Sequence, residues 1–410
     1  MNIGSQLVSH LIGSEVLKIA GEINALKKTG QEILNFTVGD FDPKEFPLPP
    51  QLLKLCTEAL NAGHTNYPPS SGVLELRQAV AAFLSASHRI SVKSDSVLIA
   101  GGARPLIYAT YLSCVDPGDT VVYPTPSWNN NHYCHLSGAR GIAIDCMPQN
   151  GFLPDAKSIR EFLPQARLLC LNTPLNPTGT VLPRSSLLEI CESVLTENRK
   201  RKSKGQRPLF LLFDQIYWGL TKDPTSFVHP TSLFPELEEF TFSIDGLSKY
   251  FAATGLRVGW AIVPPSLMGP MSSLLGHIGA WAPKAEQVAV AQYLSHPAQA
   301  AKDMKVLWNK SQIRLEILHQ GIQSLKRQGL ACDSIEPQGG IYLSVQIQRK
   351  GLSDEQIRAD LLRSQGVAAV PFQAFGTRSD QGWFRFSVGA VSEDACRAVV
   401  AKLQSFLKIF

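Results

Sequence analysis

Residues 209–219 read LFLLFDQIYWG. Five apolar residues run without alternation and stop at an aspartate. A strand with one wet face alternates apolar and polar positions. An unbroken apolar run suits a strand buried on both faces, as in parallel sheets covered by helices. Six more runs share this character: SVLIA (96–100), TVVYP (120–124), GIAID (141–145), LLCLN (168–172), FTFSI (240–244) and VGWAIV (258–263). Helical periodicity fills many of the gaps. GVLELRQAVAAFL (72–84), for instance, sets Val73, Leu76, Val80, Phe83 and Leu84 on one face. The alternation predicts an α/β fold: a three-layer α/β/α large domain around a mostly parallel seven-stranded sheet.

The character changes near residue 298. A long amphipathic helix is expected over 298–328, strands at 339–348, 367–372 and 383–388, and a closing helix over 393–408. This predicts a smaller α+β domain spanning 298–410, a large domain spanning 50–297, and an N-terminal segment, 1–49, packed on the smaller domain.

The 410 residues are 44% hydrophobic, which fits a globular chain rather than a disordered one. No run of about 18 apolar residues suggests a membrane span, and the N-terminus resembles neither a secretory nor a mitochondrial leader. Eight cysteines without a C-x-x-C pair point to reduced thiols in a cytoplasmic protein, with no metal site. The net charge of +5 is local: NRKRKSKGQR (198–207) holds six cations, and without them the balance is −1. No aromatic residue interleaves that run, so it is read as a solvated loop rather than a nucleic-acid surface.

Ligands of open α/β sheets bind beyond the carboxyl ends of the strands, and polar or glycine-rich residues fall at those places. After SVLIA come Gly102, Ala103 and Arg104, a turn into a helix that suits a phosphate, although any strand-to-helix turn can use Gly-Gly. There is no G-x-G-x-x-G or G-x-x-x-x-G-K-[ST], which disfavours an NAD-dependent or P-loop enzyme. After TVVYP comes Trp128, either a packing residue or a face for a planar ring. After LLCLN comes TPLNPTGT, a rigid turn fixing Asn176. Asp214 either caps the next helix or holds a ligand cation, and Tyr217 follows. In SIDGLSKYFAATGLRVGW (243–260), Lys249 sits in apolar company, suited to a Schiff base, and Arg257 follows with a fork for phosphate. Together these suggest one ligand with a phosphate, a planar ring, a basic ring nitrogen, a ring oxygen and an aldehyde. Pyridoxal 5'-phosphate has those features.

With these motifs the chain resembles the fold-type I pyridoxal-phosphate aminotransferases of class I/II, the aspartate aminotransferase-like group. The likeness rests on SK…R-x-G-W, the NPTG turn and the D-x-x-Y pair, with NYPPSSGVLELRQAV (66–80), VGDFDP (38–43) and FRFSVG (384–389) beside them. The resemblance implies the following roles. Lys249 bonds the cofactor aldehyde and shuttles the Cα proton. Asp214 pairs with the pyridinium nitrogen, and Tyr217 and Asn176 bond the ring oxygen. Trp128 stacks on the ring. Gly102, Ala103, Arg104 and Arg257, with Ser248 as a further contact, hold the phosphate. Tyr67 reaches the phosphate of a neighbouring subunit in a homodimer with shared sites. Arg385, with Gly39, Trp128 and Asn176, binds the substrate, Arg385 clamping the α-carboxylate. The chain departs from the pattern at Gly246, where many relatives carry Ser or Thr, at Phe41, where proline is usual, and at Ala103 and Pro105.

The implied activity is ping-pong transamination between an L-amino acid and a 2-oxo acid. Aspartate or glutamate with 2-oxoglutarate is the expected pair, with Arg104, His277 and Lys284 as candidate cations for a second carboxylate. Two other readings use the same scaffold: a β-eliminating C–S lyase and a non-catalytic regulatory protein.

Overall fold

The computed structural model describes residues 4–9, 11, 13, 15–88, 90–222 and 228–408. Thirteen strands are present among them. The first, β1 (Leu34–Asn35), is short. Next come β2 (Val97–Ala100), β3 (Thr120–Thr125), β4 (Arg140–Asp145), β5 (Ala166–Asn172), β6 (Phe210–Asp214), β7 (Thr241–Gly246) and β8 (Gly259–Ile262). Then follow β9 (Cys332–Ser334), β10 (Tyr342–Ile347), β11 (Val367–Ala368), β12 (Val370–Pro371) and β13 (Trp383–Ser387).

Each of the seven apolar runs becomes a strand of one sheet, ordered β2-β8-β7-β6-β5-β3-β4. Pairings are parallel except those of β8, which runs antiparallel to both neighbours. The carboxyl ends of β2, β3, β5, β6 and β7 therefore share one edge. Helices cover both faces, as the unbroken apolar runs require. Helix Ala103–Cys114 packs Leu106 and Ile107 with Leu98, Leu168 and Leu212 on one side. Helix Arg184–Ser203 packs Leu187, Ile190 and Val194 with Leu169, Leu171 and Leu211 on the other.

The second sheet is antiparallel, ordered β12-β13-β10-β9. Its core takes in the 31-residue helix Pro297–Arg327, the closing helix Glu393–Lys408, and Phe36, Phe41 and Phe46 from the N-terminal segment. That segment also pairs in parallel with the later chain, Leu34 opposite Val367.

Two readings need correction. The basic run is not a loop up to residue 203 but the last turns of helix Arg184–Ser203. Asn198 ties the helix to the next strand by exchanging bonds with Leu209 (2.9 and 2.8 Å). Arg201 is buried on Glu197, and Arg207 pairs with Asp116 and Asp119. VAAVPF is not one strand: Val367 pairs with Leu34 while Val370 pairs with Arg385, so the run splits between two sheets. All eight cysteines are buried and free. No described helix is long and apolar enough to cross a membrane.

Candidate active site

Lys249 lies in the short helix Leu247–Tyr250, straight after β7. Its Nζ donates to the Gly39 carbonyl at 2.6 Å and stands 5.4 Å from the Phe41 ring centroid and 5.8 Å from that of Tyr217. Burial lowers its pKa to about 8, and Arg385, Arg104 and Arg257 push the same way against the opposing carboxylate of Asp40. A neutral amine is thus accessible near physiological pH. Phe41, in place of the usual proline, supplies an apolar wall beside that amine.

Asp214 closes β6 opposite Ile244 of β7 and Asn172 of β5. It caps no helix. The chain turns after it, and its Oδ1 accepts only the Ile216 N–H, at 3.1 Å. Burial raises its pKa to about 7. No described cation bridges it, so this carboxylate is short of donors. On β5, Asn172 donates to the Asp214 carbonyl and accepts the Asn176 N–H, each at 2.9 Å, fixing the NPTG turn against the strand ends. Asn176 Oδ1 then accepts from Arg385 Nη1 at 3.0 Å.

Arg385 is 1% exposed, at the centre of β13. Nη2 donates to the Thr37 carbonyl at 2.7 Å, while Nε has no partner. Its guanidinium lies 4.6 Å from the Tyr342 ring centroid, 4.9 Å from Phe375 and 5.9 Å from Trp128. A buried guanidinium without an anion is costly. Arg104, itself exposed, lies 5.3 Å from the same ring centroid.

The third part is glycine-lined. Helix Ala103–Cys114 begins after Gly102, whose φ of 100° belongs to glycine. A Cβ at Gly102 would strike the Arg257 guanidinium, and one at Gly259 would strike the Gly102 backbone. Arg257 donates to the carbonyls of Thr254 (2.7 Å) and Gly101 (2.9 Å). It holds a left-handed φ of 55°, a strain of order 1 kcal/mol for a non-glycine residue. Gly246 faces Gly259 across the β7–β8 pair, where a Cβ would lie 3.0 Å from Gly259 Cα and from the Val258 carbonyl. A side chain at that position therefore needs the β8 backbone to give by a few tenths of an ångström. Ser248 stands half-buried one residue before Lys249.

The fold therefore brings Gly102, Ala103, Arg104, Trp128, Asn176, Asp214, Tyr217, Ser248, Lys249 and Arg257 to one edge of the large sheet, with Gly39 from the N-terminal segment and Arg385 from β13 beside them. Tyr67 stands apart, 80% exposed, with its ring 5.0 Å from Trp281. The neighbouring Ala280 carbonyl accepts from Gly101 of the glycine-lined turn. Sequence reasoning missed Tyr342, whose hydroxyl lies 2.6 Å from that of Tyr217. It also missed Asp40 and Thr254, joined at 2.7 Å. A tyrosine in an otherwise apolar strand run needs a partner for its hydroxyl, and that was the available signal for Tyr342. The residues fit pyridoxal 5'-phosphate: a donor-poor carboxylate for a ring N–H, a glycine-lined cradle too tight for a Cβ, and a buried lysine amine for the aldehyde.

The chain belongs to the family Aminotransferase class I and II, whose profile matches residues 31–403. It is thus a pyridoxal-phosphate-dependent transferase of fold type I. It is 25% identical over 410 residues to a probable aspartate/prephenate aminotransferase of Aquifex aeolicus, covering 98% of each chain. Over 408 residues it is 26% identical to an aspartate aminotransferase of Geobacillus stearothermophilus, again covering 98% of each. The solved aspartate aminotransferase of Rhizobium meliloti superposes with a TM-score of 0.89 at 25% identity, over 99% of this chain and 98% of that one. The Thermus thermophilus enzyme shares the fold at a TM-score of 0.88 and 24% identity, over the whole of both chains.

Proposed function

We propose that this aminotransferase moves the amino group of an L-amino acid to a 2-oxo acid in two half-reactions, with aspartate or glutamate and 2-oxoglutarate as its substrates. The observation that carries the reading is Arg385, buried, without a protein anion, and close enough to Lys249 for its charge to be felt there. A guanidinium so placed receives an α-carboxylate through its planar fork. Arg104, exposed and 5.3 Å from the Trp128 ring centroid, offers the distal carboxylate of a dicarboxylate its counter-charge. The aspartate aminotransferases among its relatives agree with that choice.

When bound, pyridoxal 5'-phosphate supplies an aldehyde for imine exchange and an electron sink that makes the substrate Cα–H acidic. This chain's residues do the rest. Lys249 Nζ anchors the cofactor, then as a free amine takes the Cα proton and returns it. Asp214 keeps the ring nitrogen protonated, and Tyr217 and Asn176 donate to the ring oxygen. Trp128 covers one ring face. Arg257, Ser248 and the N–H groups of Gly102, Ala103 and Arg104 hold the phosphate. Gly39 borders the substrate. In a homodimer, the exposed Tyr67 completes the phosphate site of the second copy, and the free thiols suit a cytoplasmic setting.

The test is a survey of amino donors with the purified, cofactor-loaded protein, following loss of its visible absorbance in single turnovers. Aspartate and glutamate should react fastest, and Lys249→Ala should abolish both band and turnover. Turnover retained in Lys249→Ala would refute the assignment of Lys249. Faster reaction with aromatic than with acidic donors would refute the substrate.

A further inference from the structure

Two contacts tie the N-terminal segment to the segment that carries Lys249. Lys249 Nζ donates to the Gly39 carbonyl at 2.6 Å. One residue on, Asp40 Oδ1 accepts from the Thr254 hydroxyl at 2.7 Å and from the Phe41 N–H at 2.8 Å. Thr254 also passes its carbonyl to Arg257. Asp40 is therefore held in place, with its second oxygen without a protein donor among the described residues.

The charges around the Lys249 amine give this arrangement a purpose. Three guanidiniums face it: Arg385 from β13, Arg104 from helix Ala103–Cys114, and Arg257 from its own segment. Asp40 is the carboxylate that opposes them. The rings of Phe41 and Tyr217 supply no full charge. Tyr342, which also feels Asp40, stays protonated because burial raises its pKa. When Lys249 takes the substrate Cα proton its amine becomes an ammonium, and it is neutral again once the proton is returned. With cofactor and substrate bound, those guanidiniums are answered at their own ends by the phosphate and the substrate carboxylates, and the buried ammonium beside Gly39 still needs a counter-charge of its own.

We propose that Asp40 is a positioning residue for the proton carrier: anchored by Thr254, its carboxylate holds the ammonium form of Lys249 beside Gly39 while the proton is in transit. The inference rests on the role proposed for Lys249. It is independent of which amino donor the enzyme takes.

The experiment uses the full chain stripped of cofactor, exposed to a trace acylating reagent over a range of pH. Modification of Lys249 is read by mass spectrometry, and thermal melting checks the fold of each variant. Asp40→Asn should move the midpoint of Lys249 acylation down by about one pH unit. In the loaded enzyme it should lower kcat more than it raises KM for the donor. Thr254→Val should shift the midpoint the same way by less, and Thr254→Ser should restore the parent value. A purely structural role for Asp40 would lower the melting temperature and leave the midpoint alone. An unchanged or raised midpoint in a folded Asp40→Asn overturns the proposal. Should that variant not fold, Thr254→Val decides: a lowered midpoint supports the proposal, and the parent's value overturns it. A wrong substrate assignment would change which donors turn over and leave the acylation midpoint where it is.

Discussion

Two buried arginines of this protein stand in opposite situations. Arg201, 6% exposed, closes the helix beneath the large sheet. Its Nε meets Glu197 at 2.9 Å, Nη2 donates to the Leu163 and Ala166 carbonyls at 2.7 Å each, and Nη1 to the Arg207 carbonyl at 3.3 Å. Arg385 has one amide oxygen, one carbonyl and an idle Nε. Arg314 and Arg358, also buried, both hold carboxylates. Among the described buried arginines, then, the one lacking an anion is the one grouped with Asn176, Trp128 and Tyr342 in the candidate site. Burial alone does not mark a functional charge, and neither does a single idle N–H, since Arg358 Nη1 lacks a partner too; burial without an anion does.

Substitution tests that contrast directly. Arg385→Met should lower kcat/KM about a thousandfold or more, as loss of a charge-assisted bidentate pair implies, with the melting temperature held or raised. Steady-state kinetics and calorimetry read both. Arg201→Met should do the reverse, costing about 3–5 kcal/mol in urea denaturation because the Leu163 and Ala166 carbonyls lose their donor and buried Glu197 keeps only the exposed Lys200, at 4.0 Å, with kcat/KM per folded molecule unchanged. If the two variants exchange phenotypes, the contrast collapses.

Lys249 sharpens it with a third cation. Its folded pKa of about 8 lies below the ordinary lysine value of 10.5, so the cofactor-free unfolded chain binds more protons between those values. Stability should therefore rise with pH across that window. Lys249→Met should be more stable than its parent below pH 8, by at most about 3 kcal/mol, with the gap closing towards pH 10.5. Denaturant titrations of both proteins across this range check the sign. The smallest effect is expected at Arg104. Arg104→Met should raise KM for aspartate and 2-oxoglutarate about tenfold or more, and leave monocarboxylic donors within about twofold. Equal losses for both classes would remove Arg104 from side-chain recognition.

The seven large-sheet strands were legible because each is an unbroken apolar run. Their order was not, because parallel neighbours are joined by long crossovers that no local pattern records. β9, three residues long, left too little periodicity to read. Asn198 and Arg201 looked like a solvated basic loop because the carbonyls and carboxylate that bury them lie on other turns and strands. In the candidate site, Asp214, Lys249 and the NPTG turn stood out because each interrupts or directly follows an apolar run. Asp40, Thr254 and Tyr342 did not, since each acquires its meaning from a partner more than a hundred residues away.

The glycines at 102, 246 and 259 form a stack in which each position is crowded by the next. Their evolutionary freedom is accordingly joint. A serine introduced at 246 to imitate the relatives would press on strand β8 at 259, and 259 leans in turn on the backbone at 102. Drift along this edge is therefore epistatic, and a hydroxyl anchor grafted at 246 takes hold only where the backbone of β8 yields by a few tenths of an ångström.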